Sequence, residues 1–312
     1  MKYRLTDEKK YCNGHIIHRI ICVKAFGEVK EGELGGWIEK EGNLSQSGNA
    51  WVSGNAIVSG DAWVRGNAKV SNNAIVRDDA RVSGNAKVND NAIISGCAEV
   101  CADARVGGDA WVSGGAFVCD NACIKGNAVV DDYAQIAGYA WVGDNARVSG
   151  NARVRGSVFV VGNAKVKDDA WVIGKARVFG NAEVGCKARV HGKAEIFDNG
   201  HIGGSAEIGG YARISGYARV KGNVEILGYA RIGGKAIVCE NSDFVVFKNH
   251  FSSGRYFTWT RSDNMWSVGC FRGTGDELIA KAYQDNEAKG RFYEAYVDFV
   301  QRLEIIEEEM EK

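Results

Sequence analysis

The chain has 312 residues, with 41 glycines, nine cysteines and no proline, and its 39 basic side chains balance 39 acidic ones. Zero net charge excludes bulk attraction to nucleic acid or an anionic membrane, and 45% hydrophobic residues exclude a disordered chain. No apolar run reaches the ~20 residues of a membrane span, and roughly fifteen prolines would be expected at this length from average usage.

In chain order, residues 1–47 read as an N-terminal β cap. Strands are expected over 2–5 and 16–25 around a polar loop at 7–14, and Gly35-Gly36-Trp37-Ile38-Glu39 leads onward through Gly42-Asn43-Leu44. Met1-Lys2-Tyr3-Arg4-Leu5 lacks the apolar stretch and small-residue cleavage site of a signal peptide, so a cytoplasmic, soluble protein is expected. The nine cysteines, without CxxC pairs, suit reduced thiols better than a disulfide framework or a zinc site.

From Gly48 to Cys239 the chain runs in 32 hexapeptides without an insertion or deletion. The fifth position is Val or Ile in all 32, and the third is Ala in 29, the exceptions being Val158, Gly200 and Val224. Both positions must point inward. The first position is Gly in 22 units and Asn or Asp in eight, leaving Ala102 and Cys186, which marks a turn residue with positive φ. Positions four and six are mixed and face out. A short strand with one large and one small inward residue cannot bury its apolar side alone, so the units must stack. Three strands per 18-residue coil give a triangular prism of about 10.7 coils, roughly 50 Å long at ~4.8 Å per strand. Proline would cost ladder hydrogen bonds throughout such a prism.

Outward residues 18 apart then fall into columns. Ile57, Ile75, Ile93, Trp111 and Val129 form one apolar column before it turns polar at Arg147 and Lys165. Such a stripe marks a contact surface, covered by the N-terminal segment, by another copy of the chain or by a foreign partner. Two other columns interleave Trp and Phe with Lys and Arg, the pattern of a nucleic-acid grip. Acids occupy neighbouring corners, however, and 22 basic against 18 acidic side chains make nucleic acid an unexpected partner. Val161, Phe179 and Phe197 stack beside Phe159, and a C-terminal helix is expected to fold back over them. Cys101 and Cys119 share an outward column in adjacent coils and are expected to remain thiols.

From Glu240 the register is lost. Segments 255–260 and 265–271 flank Arg261-Ser262-Asp263-Asn264 as a hairpin, and Thr274 with Glu277 forms a capping box opening a helix to about Asp285. Gly290 is expected to break the helix. Phe292, Tyr296, Phe299, Val300, Leu303 and Ile306 then define the apolar face of a second helix that runs into an acidic tail. With nine basic and 14 acidic residues, this module is acidic where the repeat is basic.

The inward pattern, Val52 with Ala56 and Val58 with Ala62, resembles the hexapeptide repeat of left-handed parallel β-helices. Most studied members of that superfamily are acyltransferases using acyl-CoA, often as trimers. Over the whole chain, Lys2-Tyr3-Arg4-Leu5, Gly35-Gly36-Trp37-Ile38-Glu39, Asn43-Leu44-Ser45 and Trp266-Ser267-Val268-Gly269-Cys270-Phe271-Arg272-Gly273-Thr274 resemble the YdcK-type proteins of bacteria and phages. The resemblance implies a bacterial host cell and, for an enzyme, acetyl-CoA and a catalytic His beside a loop extruded from the coils. No such loop leaves the repeat. His191 and His201 lie on its outer surface, His201 being the weak candidate for a general base, and His15, His18 and His250 have no acidic or Ser partner at motif spacing. No phosphate loop, nucleophile elbow or metal-ligand spacing appears. Four Thr, none in the repeat, exclude an ice-binding ladder.

The expected architecture is therefore mainly β. It comprises an N-terminal β cap over 1–47, a left-handed parallel β-helix of 10–11 coils over 48–239, and a hairpin plus two-helix module over 240–312. The expected function is that of a rigid, non-enzymatic binding or scaffolding protein, of phage or prophage origin and acting by binding a host protein. Its contact residues would be Ile57, Ile75, Ile93, Trp111, Val129, Phe159, Phe179 and Phe197, with no cofactor, no metal, and a protein partner or a homodimer or homotrimer. The alternative is an acyl-CoA-dependent acyltransferase.

Overall fold

The computed structural model describes residues 1–12, 14–249, 251 and 254–310. Two-residue strands recur every six residues from Trp51–Val52 to Ile237–Val238, and strands 18 residues apart pair in parallel. They form three sheets, one per side of a β-solenoid of about 11 turns. Face A carries the Ile57 column, face B the Trp51 column and face C the Trp63 column. The inward Val, Ile and Ala side chains from Ala50 to Val238 are 0–1% exposed, apart from Gly200, which has no side chain to offer. Burying one Val in this way is worth ~1.5–3 kcal/mol, and the repeat does so at every sixth residue.

Hydrogen bonds between coils explain the composition. Where a further coil follows, the N–H groups at positions two, four and six as a rule donate to carbonyls of that coil, as in Asn73 to Asp90 (2.8 Å), Ile75 to Ala92 (2.9 Å) and Arg77 to Ile94 (3.0 Å). The third-position N–H closes the turn, as in Ala74 to Ser71 (3.3 Å). The first position has positive φ in every unit, including Ala102 and Cys186. Proline would forfeit a bond or clash with its fixed φ at nearly every place.

The first-position aspartates do more than tolerate that backbone. All seven, from Asp78 to Asp198, accept the N–H of the first-position residue one coil on, for example Gly96 to Asp78 (3.0 Å) and Gly216 to Asp198 (3.0 Å). Second-position asparagines add side-chain ladders along the corners, Asn55 to Asn73 to Asn91 to Asp109 and Asn127 through Asn199.

Both open ends of the solenoid are closed by one partner per face. At the N-terminal end the carbonyls of Ala50, Ala56 and Ala62 would face solvent. They accept from Lys2 Nζ (2.8 Å), the Trp37 N–H (2.9 Å) and Asn43 Nδ2 (2.7 Å), respectively. At the C-terminal end the N–H groups of Glu225, Arg231 and Ile237 have no further coil to donate to. Asn241 Oδ1 (2.9 Å), Thr258 Oγ1 (2.9 Å) and Ser262 Oγ (2.7 Å) accept them. The sheet edges that would otherwise template polymerisation are thereby satisfied.

The N-terminal module differs from the expected loop-containing cap. Strand Tyr3–Cys12 runs through most of the segment expected as a loop and pairs antiparallel with His15–Cys22, with a register shift between Leu5 and Lys9. Strand Leu34–Ile38 then pairs with both His15–Cys22 and the first face A strand, placing Trp37 beside Ile57. The cap therefore extends face A along the solenoid axis, and its hairpin does not lie over the apolar column.

The C-terminal module is a four-stranded antiparallel sheet, adding Phe244–Lys248 and Phe271–Gly273 to the expected pair Tyr256–Thr260 and Met265–Val268. Helix α1 (Gly275–Asp285) opens on the Thr274–Glu277 capping box. The break before helix α2 (Glu287–Met310) falls at Asn286, not at Gly290. Asn286 has an extended backbone and its Oδ1 accepts the Lys289 N–H (2.8 Å), so it ends one helix and caps the next. Gly290 sits inside α2 because a Cβ there would stand 2.3 Å from the Tyr283 ring. The buried face of α2 is Gly290, Tyr293, Val297 and Val300, rotated from the expected one, and Phe299 and Ile306 are exposed. Both helices pack on the antiparallel sheet through Phe257, Trp259, Trp266 and Val268. The expected fold-back of α2 over the solenoid flank does not occur, because the small sheet supplies the apolar surface its buried face needs.

Candidate functional site

The apolar column is real and continuous. Strand pairing places Ile57 beside Ile75, Ile75 beside Ile93, Ile93 beside Trp111 and Trp111 beside Val129. The chain's own N-terminal segment continues the column at Trp37 rather than covering it. Trp111 is 44% exposed, and its indole N–H donates to Ser95 Oγ (2.9 Å), which fixes the ring against the sheet. The four aliphatic side chains are half-buried against one another. The next strands carry Arg147 and Lys165, with Arg147 held by Asp131.

Phe159, Phe179 and Phe197 lie on face B. Phe179 and Phe197 stack in parallel (ring centroids 5.1 Å, interplanar 4°), with Arg177 and Arg213 over their rings, while Phe159 is 45% exposed.

His201 stands on face A between Glu183 and Arg219. Its Nδ1 is 3.9 Å from Glu183 Oε1, but that carboxylate is held at 2.6 Å by Lys167, which draws it below the usual carboxylate range. Two other histidines have the acidic partners that their sequence neighbourhoods did not show. His191 Nε2 lies 3.0 Å from Glu207 Oε1, joined across one coil, and His15 Nδ1 lies 3.0 Å from Glu39 Oε1. Burial pushes Glu39 up, yet the Gly60 N–H (2.6 Å), His15 and Lys40 outweigh it and hold the carboxyl below its ordinary value. A separation of 16 residues, two short of a coil, is the signal that would have found the His191 pair. His250 lies outside the described residues.

Cys101 and Cys119 form a disulfide, contrary to the expectation of two thiols. Stacked sixth positions place their Cα atoms 4.8 Å apart, within the usual range for a bridge, whereas sequence spacing alone leaves side-chain direction open. Among the described residues there is no cluster of three or more His, Cys, Asp or Glu suited to a metal, and no helix is long and apolar enough to cross a membrane.

Comparison with known proteins bears on the repeat. Residues 50–66, 80–96 and 146–163 match the family described as YdcK beta solenoid repeat. A curated relative, "Uncharacterized acetyltransferase YdcK" of Escherichia coli (strain K12), is 34% identical over 59 residues, covering 16% of this chain and 18% of that one. The match thus spans less than a fifth of that relative's length. Among solved structures, the Arabidopsis UDP-N-acetylglucosamine acyltransferase aligns over 64% of this chain and 69% of that one at 13% identity, with a TM-score of 0.25 too low to carry an inference. The family match and the E. coli relative support a hexapeptide-repeat β-solenoid similar to that of YdcK.

Proposed function

We propose that the chain is a rigid, non-enzymatic binding protein that presents face A of a capped solenoid to another protein surface, first of all to face A of a second copy. The observation behind this reading is the column from Ile57 to Val129. Five apolar side chains lie in strand register on successive coils, while both end modules stay at the ends. A stripe pressed against its own two-fold mate is self-complementary, the usual geometry of a homodimer. In a phage-encoded setting, the same stripe would serve to occupy a host protein. The test is sedimentation velocity on the wild type and on the Ile75→Lys, Ile93→Lys variant. Concentration-dependent association that the variant loses by more than ~100-fold supports the reading, since each buried, unpaired charge costs several kcal/mol. A wild type that remains monomeric refutes self-association.

A second reading, acetyl transfer, is favoured by the similarity to the E. coli protein named as an acetyltransferase and by the His191–Glu207 pair. A general base needs an oriented imidazole, and Glu207 would orient His191 better than the committed Glu183 orients His201. Calorimetric titration with acetyl-CoA decides it. Acetyl-CoA binding that survives in His191→Ala while acetyl transfer is lost favours this reading, and no binding by the wild type removes it.

A further inference from the structure

The near balance of charge over the repeat conceals a gradient. Residues 48–173 carry 12 basic and 13 acidic side chains, whereas 174–239 carry ten basic and five acidic. On the last coils of face B this excess lines a hollow of about 420 Å³ formed by Lys175, Arg177, Lys193, Arg213 and Arg231. The one acid among its lining residues, Glu195, is claimed from both sides by Arg177 (3.4 Å) and Arg213 (3.0 Å). A second hollow of about 390 Å³ shares Tyr229 and Arg231 with the first and adds Lys248 and Arg255 from the C-terminal module. The two hollows form one basic path that crosses from solenoid to module.

Aromatic rings run along this path. Tyr211, Tyr229 and Tyr256 stack with centroids 4.9 and 4.5 Å apart, the last ring coming from the module. Lys193 Nζ sits 4.9 Å above Tyr211 and within 3.1 Å of its hydroxyl. Tyr211 and Tyr229 are each 45% exposed, so they offer ring edges and hydroxyls to the hollow.

We propose that this path is a binding site for a single-stranded nucleic acid, whose phosphodiester backbone lies on the Lys175–Arg231 row and whose bases meet the tyrosine wall. The spacing selects a linear polyanion. Cations recur along the axis at the ~4.8 Å coil repeat over four coils and continue into the module. A single phosphate would engage two or three of them and leave the others repelling, whereas a chain with one charge per unit engages them all. A basic groove that tracks the phosphates binds single strands with little sequence preference, and the tyrosine edges and hydroxyls border the bases, since the ring faces are stacked on one another. Glu195 offsets one of the five cations of the row and leaves an excess of four, and Asp198 is turned to the Gly216 N–H (3.0 Å). The proposal is independent of face A, which lies on another side of the prism.

The experiment uses the full chain and a fluorescein-labelled oligothymidine of about 15 nucleotides, read by anisotropy between about 50 and 200 mM NaCl. Four to five engaged phosphates give a log–log salt slope near −3, at ~0.7 per phosphate. Lys175→Glu with Lys193→Glu, both exposed side chains, should lose at least about 30-fold in affinity and more than one unit of slope. Lys165→Glu with Arg219→Glu makes the same charge change on face A and should lose less than about threefold. The proposal is overturned if the wild type does not bind at the lowest salt, if the face A control loses as much, or if a duplex of equal charge binds more tightly. It is equally overturned if the Lys175→Glu, Lys193→Glu variant loses only self-association in sedimentation. That result would assign the path to the acidic end of α2 from a second copy.

Discussion

Truncating Asn43 should unfasten the first coil and leave the rest of the solenoid untouched. Its side chain is fully buried, donates to the carbonyls of Ala62 (2.7 Å) and Gly60 (3.1 Å), and accepts the Lys40 N–H (2.8 Å). Asn43→Ala strands all three. At ~0.5–1.5 kcal/mol for each lost bond, more where water cannot reach the orphaned group, the local cost is about 3 kcal/mol. Stability in a solenoid is a sum of nearest-neighbour contributions, so the loss should stay near the end that suffers it. Native-state hydrogen exchange reads this coil by coil. The Ser53, Ile57 and Ser59 amides, which donate from the first coil to the second, should exchange about 100-fold faster, while the Gln135 and Trp141 amides keep their wild-type rates. Asn43→Asp should be at least as damaging, since it retains the acceptor for Lys40 and turns a carboxylate oxygen toward the Ala62 carbonyl. An acceleration below about threefold, or an equal acceleration in every coil, would refute the argument that side chains close the prism end.

The remaining expectations concern other parts of the chain. Gly290→Ala should destabilise the C-terminal module by ~1–3 kcal/mol in denaturant titration, because overpacking against Tyr283 outweighs the helix-propensity gain of ~1 kcal/mol; a stabilised variant would refute the close Tyr283 contact as the reason for glycine there. Lys2 is lowered to about 8 by burial, with the charge of Cys22 opposing the shift. Between that value and 10.5 the unfolded chain holds the proton that the folded one has shed, so the N-terminal cap should gain stability as pH rises through this window. The gain should vanish in Lys2→Met, as judged by the difference in thermal midpoints. Alkylation of the denatured but unreduced chain should label seven cysteines, and nine after reduction; nine labels at the outset would remove the Cys101–Cys119 bridge.

The solenoid was legible because stacking imposes one demand at each position, and 32 repetitions make that demand visible. Positive φ explained Gly, Asn and Asp at the corners, but the preference for Asp had a second cause that no single unit displays. The carboxylate reaches an N–H 18 residues away. The ends were harder to read for the same reason. Lys2, Asn43, Asn241, Thr258 and Ser262 act by meeting the edge of a neighbouring coil, and nothing in their local sequence marks them. Gly290 misled because a glycine required by a close helix contact and a glycine that ends a helix look alike in sequence. At the candidate sites, columns could be counted out at intervals of 18, which gave the face A stripe. The tyrosine path needed the position of the C-terminal module, since Tyr256 and Arg255 join it only through the docked sheet.

The central claim is that the face A stripe is the surface this protein uses, and hydroxyl-radical footprinting over a concentration series tests it on the unmodified chain. Trp111, the fourth of the five residues of the stripe, is 44% exposed, while Tyr139 and Phe159, 69% and 45% exposed, lie away from face A. The account predicts that Trp111 oxidation falls several-fold as the protein associates, with Tyr139 and Phe159 unchanged. Trp111 oxidised equally at every concentration, or protection appearing at Phe159 and Tyr139 instead, would contradict it.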